Sequence, residues 1–274
     1  MRSVRFLSQR RRHPLAGFAV LALGLALSGG LYALLAPTSS ADSSQSDLVT
    51  EGHQLFLVGC ASCHGKNAEG VLTENGNQLG PPLIGVGAAS VDFQVGTGRM
   101  PMARPDTQAP QKPVQYDQRQ IEALAAYVAS LGPGPAIPRP ADYDISDLTE
   151  EEIVSGGEYF RTNCTACHNY AGSGGALPDG RYAPTLRDVE PKYFVEAMLT
   201  GPQQMPVFSD EVLTPQAKRE IIGYVQQLHN QPNYGGASGG SLGPVAEGLL
   251  GWVIGIGALV LAAVWIAAKG VKAR

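Results

Sequence analysis

The sequence predicts an all-α protein with two repeated helical units between two apolar segments long enough to cross a membrane. The pattern Cys-x-x-Cys-His occurs twice, at residues 60–64 and 164–168. A stretch with apolar residues at helical spacing follows each pattern, at residues 117–131 and 215–228. Uncharged runs of 22 and 21 residues lie near the two ends of the 274-residue chain.

The two pentads indicate attachment sites for c-type haem. In each pentad, two thiols three positions apart can form thioethers with the two vinyl groups of one porphyrin. The histidine that follows is then held against the iron as an axial ligand. The residues are Cys60, Cys63 and His64 in the first copy and Cys164, Cys167 and His168 in the second.

A zinc site and a thiol redox pair are the alternatives for these pentads. Zinc requires four ligands close together, and a redox pair does not need the trailing histidine. All four cysteines of the chain belong to the pentads, so none is left for a disulfide. Two covalently bound haem c groups are therefore the expected cofactors.

The residues before each pentad also repeat. Gly52 and Phe56 precede Cys60 by eight and four residues, and Gly156 and Phe160 precede the second pentad at the same spacing. A spacing of four places the glycine, the phenylalanine and the first cysteine on one face of a helix. The sequence therefore predicts a helix that leads into each pentad.

A methionine followed by proline lies about 40 residues after each pentad's first cysteine. Met100 and Met205 hold these positions, and a thioether is a suitable sixth ligand for haem iron. Proline favours an extended backbone at the residue before it, which suits a loop that presses a ligand onto a haem. Met102 competes with Met100 in the first copy, and the match with Met205-Pro206 favours Met100.

The charge distribution argues against binding to nucleic acid. Residues 42–243 contain 12 Lys and Arg against 23 Asp and Glu, whereas the segment before residue 37 has five Arg and no acidic residue. A nucleic-acid-binding protein needs a basic surface. An acidic cluster between residues 142 and 152 is expected to be a solvated face, or else a docking patch for a basic redox partner.

The apolar runs at residues 15–36 and 248–268 predict transmembrane helices. Arg10–Arg12 and Lys269 flank them, and basic residues mark the cytoplasmic side, so both termini are expected in the cytoplasm. A cleaved signal peptide is the alternative for the first run. Its length favours a retained anchor, because a signal peptide has a shorter apolar core.

The expected segments follow from these features. They are a basic cytoplasmic flank (1–14), a transmembrane helix or uncleaved signal anchor (15–36), a polar tether (37–47), a first haem domain (48–131), a proline-rich linker (132–149), a second haem domain (150–231), a Gly-rich tether (232–246), a transmembrane helix (247–268) and a basic cytoplasmic tail (269–274). Extra residues at 103–115 in the first copy are expected to form a tolerated insertion, or a docking element for a neighbour.

Each haem unit resembles a class I cytochrome c domain, over residues 48–131 and 150–229. The resemblance implies that the glycine and phenylalanine before each pentad pack against an aromatic residue of the last helix, Tyr127 or Tyr224. It also implies that the carbonyl of a loop proline orients the axial histidine. The matching prolines are Pro82 and Pro184.

The layout of the whole chain resembles the dihaem cytochrome c subunit of the actinobacterial menaquinol–cytochrome c reductase, the cytochrome bcc complex. This resemblance implies a cytochrome b subunit, a Rieske iron–sulfur subunit and an aa3-type oxidase as partners. It implies electron transfer from the Rieske protein through two haems to the oxidase, with no quinol site on this chain. A subunit of a cbb3-type oxidase or membrane dehydrogenase is one alternative, and a dihaem peroxidase with an open iron position is another.

Overall fold

A computed structural model describes residues 16–35, 40–230 and 244–271. Expectations for the N-terminal flank, most of the Gly-rich tether and the last three residues lie outside the described residues. The chain divides into two units, residues 1–47 and residues 48–274. The described part is mostly helical, as the sequence predicts.

The two terminal helices differ in apolar length. Helix α1 spans Ala16–Leu35, and its apolar part, Ala16–Tyr32, is too short to meet the length expected of a membrane span. The last helix spans Pro244–Val271, and Gly248–Gly270 is long and apolar enough to cross a membrane. Among the described residues, only this second segment is both long enough and apolar enough to cross a membrane.

Helices and short hairpins form most of the regular structure in the rest of the described chain. After α1, the elements up to residue 130 are α2 (Ser40–Gly59), α3 (Ala61–His64), β1 (Val71–Leu72), β2 (Gln78–Gly80), α4 (Gly87–Gly96) and α5 (Gln118–Ser130). Those after residue 149 are α6 (Glu150–Asn163), α7 (Thr165–His168), β3 (Gly175–Ala176), β4 (Tyr182–Ala183), α8 (Pro191–Thr200), α9 (Pro215–Asn230) and α10 (Pro244–Val271). β1 and β2 form one antiparallel pair, and β3 and β4 form another. We call residues 48–131 the first half and residues 150–230 the second half.

Helix α2 begins earlier than the sequence suggested. Residues 40–46 were expected to belong to a polar tether, but α2 starts at Ser40 and continues without a break to Gly59. The segment contains neither proline nor glycine before Gly52, so nothing in its backbone stops the helix from extending toward its N-terminus. The tether is therefore shorter than expected.

Each half has a hydrophobic core in which its first and last helices touch. A Cβ atom at Gly52 would overlap the carbonyl oxygen of Ala123 in α5, and one at Gly156 would overlap that of Glu220 in α9. Because only glycine fits at these positions, the helix backbones come into direct contact. Aromatic pairs lie beside the crossings, with ring centroids 5.2 Å apart for Phe56–Tyr127 and 5.6 Å for Phe160–Tyr224.

Side-chain caps fix where the helices begin. The Asp117 carboxylate accepts a hydrogen bond from the backbone N–H of Gln120, whose side chain in turn accepts one from the Asp117 N–H. Thr149 and Glu152 form the same reciprocal cap at α6. Part of the acidic cluster therefore serves the fold, which reduces what it can offer to a partner.

The linker at residues 132–149 packs against both halves. The N–H of Ala89 in α4 donates to the carbonyl of Pro135, 3.1 Å away. Tyr143 and Ile145 pack on the second core, and Arg219 of α9 forms an ion pair with Asp147. The expected stiff spacer is thus a fixed part of the contact between the halves.

Helices α4 and α8 bring the two halves together directly. Asp92 and Lys192 form an ion pair of 2.7 Å between them, and Phe93 meets the edge of Tyr193 at 6.3 Å. Glu196 is fully buried beside Asp92, which is 1% exposed. Burial and then the neighbouring Asp92 raise the pKa of Glu196 to about 9. The Glu196 carboxyl therefore keeps its proton at neutral pH.

Replacing the glycines at the helix crossings should destabilise the halves separately. Gly52→Ala should lower the stability of the first half, and Gly156→Ala that of the second, each by about 1–3 kcal/mol because the helices must move apart. Limited proteolysis of the purified chain would locate the loosened half. Gly257→Ala is the control, since nothing lies within 4 Å of that position. Equal loosening of both halves by either variant would contradict this.

Glu196 should make stability depend on pH. The folded chain holds its proton up to a pH of about 9, whereas the unfolded chain releases it near the ordinary pKa of 4.5. Stability should therefore fall as pH rises through this window. Thermal melting in detergent from pH 5 to 9 should show a smaller fall for Glu196→Gln than for the exposed control Glu190→Gln. An identical fall in melting temperature for both variants would contradict the conclusion that buried Glu196 is protonated.

Candidate haem sites

Both pentads form a tight helical turn at the end of a longer helix. The N–H of His64 donates to the carbonyl of Cys60 at 3.0 Å, and that of His168 donates to the carbonyl of Cys164 at 2.9 Å. The first cysteine of each pentad also continues the preceding helix, with Cys60 N–H bonded to Phe56 O at 2.8 Å. The core phenylalanine and the pentad are therefore held in one rigid segment. All four cysteines lie in the described residues, and none forms a disulfide.

A backbone carbonyl holds the ring of each pentad histidine. His168 Nδ1 lies 3.0 Å from the carbonyl oxygen of Pro184, the proline that the sequence singled out. His64 Nδ1 lies 2.8 Å from the carbonyl oxygen of Pro81, and not from that of the expected Pro82. Pro81 and Pro184 each precede a leucine by two residues, and alignment of the two copies on this leucine would have found Pro81.

These hydrogen bonds fix the role of each imidazole nitrogen. An Nδ1–H that donates to a carbonyl leaves Nε2 as the atom with a free lone pair, which is what a metal requires. Burial lowers the pKa of His168, while the bond to Pro184 opposes this shift. The neutral, ligating form of this imidazole is therefore favoured.

The methionine loops lie against the same cores as the pentads. Met100 and Cys60 both pack against the buried cluster of the first half, and Met205 and Cys164 both pack against that of the second. The N–H of Met100 is bonded to Gln94 O at 2.8 Å, which ties the loop to α4. Met102 is half-buried but is not part of the cluster. The packing therefore favours Met100 over Met102 in the first half.

A cleft in the second half brings the expected residues together. Cys164, Cys167, His168 and Met205 all line it. Apolar side chains such as Phe208 complete the wall. A cleft lined by two thiols, an imidazole and a thioether together with apolar side chains fits a covalently bound haem.

The same arrangement does not fit zinc or a reactive thiol pair. Among the residues that the structure describes, no group of three or more His, Cys, Asp or Glu side chains could hold a metal ion. Burial raises the pKa of both Cys60 and Cys164 to about 11, with a smaller effect from the second cysteine of each pentad. Such thiols are weak nucleophiles at neutral pH, unlike those of redox motifs.

The insertion at residues 103–115 has contacts that the sequence did not reveal. The ammonium group of Lys112 donates to the carbonyls of Gly98, at 3.0 Å, and of Pro101, at 2.6 Å, and so clamps the loop on both sides of Met100. The Gln108 side chain bonds to both the N–H and the carbonyl of Tyr182 in β4. The insertion thus joins the first half's ligand loop to the second half, and a docking role toward a separate neighbour is not needed to explain it.

The first half also contributes to the cleft of the second. Phe93, Arg99, Gln108 and Ala109 line it together with the second pentad. Sequence reasoning gave these residues no role. The only available signal was the greater length of the first copy between its methionine and its last helix.

Comparisons with known proteins agree with this geometry. Residues 49–132 match the family model described as cytochrome c, and residues 151–225 match that of cytochrome c oxidase, cbb3-type, subunit III. Such domains imply covalently bound haem c. The Cbb3-type cytochrome c oxidase subunit CcoP of Helicobacter pylori is 25% identical over 202 residues, covering 67% of this chain and 60% of its own length.

Two other relatives match nearly the whole chain. The cytochrome bc1 complex cytochrome c subunit of Mycobacterium tuberculosis is 44% identical over 266 residues, covering 95% of this chain and 93% of its own length. The subunit of the same description from Corynebacterium efficiens is 41% identical over 276 residues, covering 95% of this chain and 91% of its own. The chain therefore belongs to the family of cytochrome c subunits of the cytochrome bc1 complex.

Proposed function

We propose that the chain is a membrane-bound electron carrier with two covalent haems, one at each pentad. The observation that carries the proposal is the repeated geometry: each pentad ends in a histidine held by a proline carbonyl, and a methionine loop packs on the same core. Each half would then be a class I cytochrome c domain. When bound, haem supplies a one-electron ferric–ferrous couple.

The side chains of the chain would fill both axial positions of each iron. The proposed ligands are His64 with Met100 in the first half and His168 with Met205 in the second. Cys60, Cys63, Cys164 and Cys167 would hold the porphyrins through thioethers. A thioether ligand and an apolar pocket favour the ferrous state and raise the reduction potential. With both positions taken by protein, substrates have no access to iron, so electrons pass through the pocket wall.

We propose a membrane arrangement and partners on the basis of the family and the apolar segments. We infer that the haem domains lie outside the cytoplasmic membrane and that α10 crosses it. The described apolar part of α1 is short, but the uncharged run at residues 15–36 would supply a second span, which would place both termini in the cytoplasm. The relatives are named as subunits of the bc1 complex, which supports a cytochrome b subunit as a neighbour. The inferred path takes electrons from a Rieske iron–sulfur protein through the two haems to an aa3-type oxidase. The chain would be the electron-transfer subunit of this oxidoreductase.

A cbb3-type oxidase subunit is the second candidate. The match of residues 151–225 to a cbb3 family model and the Helicobacter relative favour it. The bc1 relatives are more similar and cover far more of the chain. A dihaem peroxidase has less support, because it requires an iron with a free or displaceable ligand, and both methionines here pack on a core.

Removal of a methionine should open one iron to carbon monoxide. The reduced wild-type chain should not bind the gas, whereas Met100→Ala and Met205→Ala should each bind about one molecule per chain, because the sixth position becomes vacant. Difference spectra of the reduced protein measure this. Met102→Ala is the matched control and should behave like the wild type. Carbon monoxide binding by the wild type, or by Met102→Ala instead of Met100→Ala, would contradict the ligand assignment.

Affinity purification of the tagged chain in mild detergent should identify the complex. We expect a cytochrome b, a Rieske protein and an aa3-type oxidase to co-purify, with electrons from a quinol reaching the haems of this chain. Recovery with the catalytic subunit of a cbb3-type oxidase, and without cytochrome b, would establish the second candidate instead. The variant Gly52→Ala, which should loosen the first half, is the control that tests whether co-purification requires a folded first half.

A further inference from the structure

The cleft of the second half contains a guanidinium group that comes from the first half. Arg99 lies one residue before Met100, in the loop proposed to ligate the first iron, yet it lines the cleft formed by the second pentad and Met205. Its Cζ atom lies 4.8 Å from the centre of the Phe93 ring, which holds the side chain against the interface. One loop therefore contributes to two sites.

This guanidinium group lacks an anionic partner. Within residues 16–35, 40–230 and 244–271, Arg99 forms neither an ion pair nor a side-chain hydrogen bond. Arg99 is half-buried, and taking a cation even partly out of water without a counter-charge is costly. An anionic group bound in the cleft would give the Arg99 guanidinium the counter-charge that it lacks.

The lining of the cleft indicates which anion. Arg181 of the second half also lines it and donates through Nε to the carbonyl of Thr107, at 3.1 Å. The two guanidinium groups share the cleft with the haem-attachment residues, and no carboxylate lines it. A haem carries two carboxylates, its propionates, and these are its anionic side chains. Arginine binds carboxylates through paired, charge-assisted hydrogen bonds.

We propose that Arg99 of the first half binds a propionate of the haem held by the second half. The second haem site is then composite, with its covalent attachment and axial ligands in the second half and a charge partner in the first. The inference rests on the proposed function, because it requires a haem at the second pentad. Arg181 is the corresponding cation of the second half.

The contacts of the insertion support this assignment. Lys112 fixes the backbone on either side of Arg99 and Met100, and Gln108 ties the same insertion to β4 through two hydrogen bonds of 2.8 and 2.9 Å. Phe93 and Ala109, both buried, close the cleft on this side. The first half thus provides a rigid wall that positions Arg99 toward the haem site.

The test is a redox titration of the full-length chain in detergent, followed by haem absorbance. A Met205→His background marks the second haem, because imidazole in place of the thioether lowers its potential and separates its step from that of the first. In this background we compare Arg99→Gln, Arg99→Lys and Arg104→Gln. Arg104 is the matched control, since it lies in the same loop and its side chain is 83% exposed.

Loss of the positive charge should stabilise the ferric form of the second haem. For Arg99→Gln, we expect the oxidised-to-reduced ratio of the marked haem to rise about tenfold at a fixed potential, equivalent to 59 mV for one electron. Arg99→Lys should restore part of the shift because it keeps the charge, and Arg104→Gln should cause none. If Arg99→Gln blocks haem incorporation, loss of the second haem with retention of the first supports the proposal equally.

Two results would overturn the inference. One is an unchanged reduction potential of the second haem in Arg99→Gln. This also holds if the variant loses a protein partner during purification while that potential stays unchanged. The other is a shift confined to the first haem, which would mean that Arg99 acts only through Met100. Haem quantification separates these two results from failure of the proposed function. Fewer than two covalent haems in the wild type would disprove the second haem site itself. Two haems with an unchanged potential of the second haem would disprove only the role of Arg99.

Discussion

The architecture depends on two places where helix backbones touch. Gly52 lies against Ala123 and Gly156 against Glu220, with no space for a side chain between them. The contact fixes the rotation of the incoming helix about its axis, and one turn later a phenylalanine enters the core. After another turn comes the first cysteine of the pentad. A shift at the glycine would therefore rotate the haem-attachment residues away from the loop that carries the methionine.

The pentads are held by local hydrogen bonds, whereas the residues that complete each site are brought to them by long-range packing. The pentads and their helices are local structures, held by short-range hydrogen bonds. The proline carbonyls and the methionine loops come from distant parts of the sequence, and packing on the cores brings them to the pentads. An axial ligand on a loop can remain in place only if the loop is itself held, and Lys112 does this for Met100. In the second half, Met205 packs directly on the core cluster.

The contact between the halves is more than a connection between two similar units. It contains an ion pair, a protonated buried acid and an aromatic contact, all between α4 and α8. The linker and the insertion add further contacts that join the two halves. Such a contact would hold the two proposed haem sites at a constant separation, which a relay of electrons requires. It also explains how the loop proposed to ligate one iron could provide a cation for the neighbouring site.

Local patterns predicted much of this structure. The pentads, the helices before them and the last helix of each half, α5 and α9, follow from spacing and caps, and the structure has them within a few residues of the expected bounds. Long-range placement was not predictable. The resemblance to class I cytochrome c suggested Pro82, but His64 Nδ1 contacts the carbonyl of Pro81. The insertion was interpreted as tolerated length, since nothing in residues 103–115 indicates that Gln108 reaches Tyr182, 74 positions later in the chain.

The central claim is that two irons are each bound by one imidazole and one thioether. Near-infrared magnetic circular dichroism of the oxidised, purified chain tests this most directly, because it separates histidine–methionine ligation from histidine–water and bis-histidine ligation. The account predicts a spectrum of histidine–methionine haem alone, with an intensity that corresponds to two haems per chain. A water-ligated or bis-histidine component, or an intensity that corresponds to one haem, would contradict it.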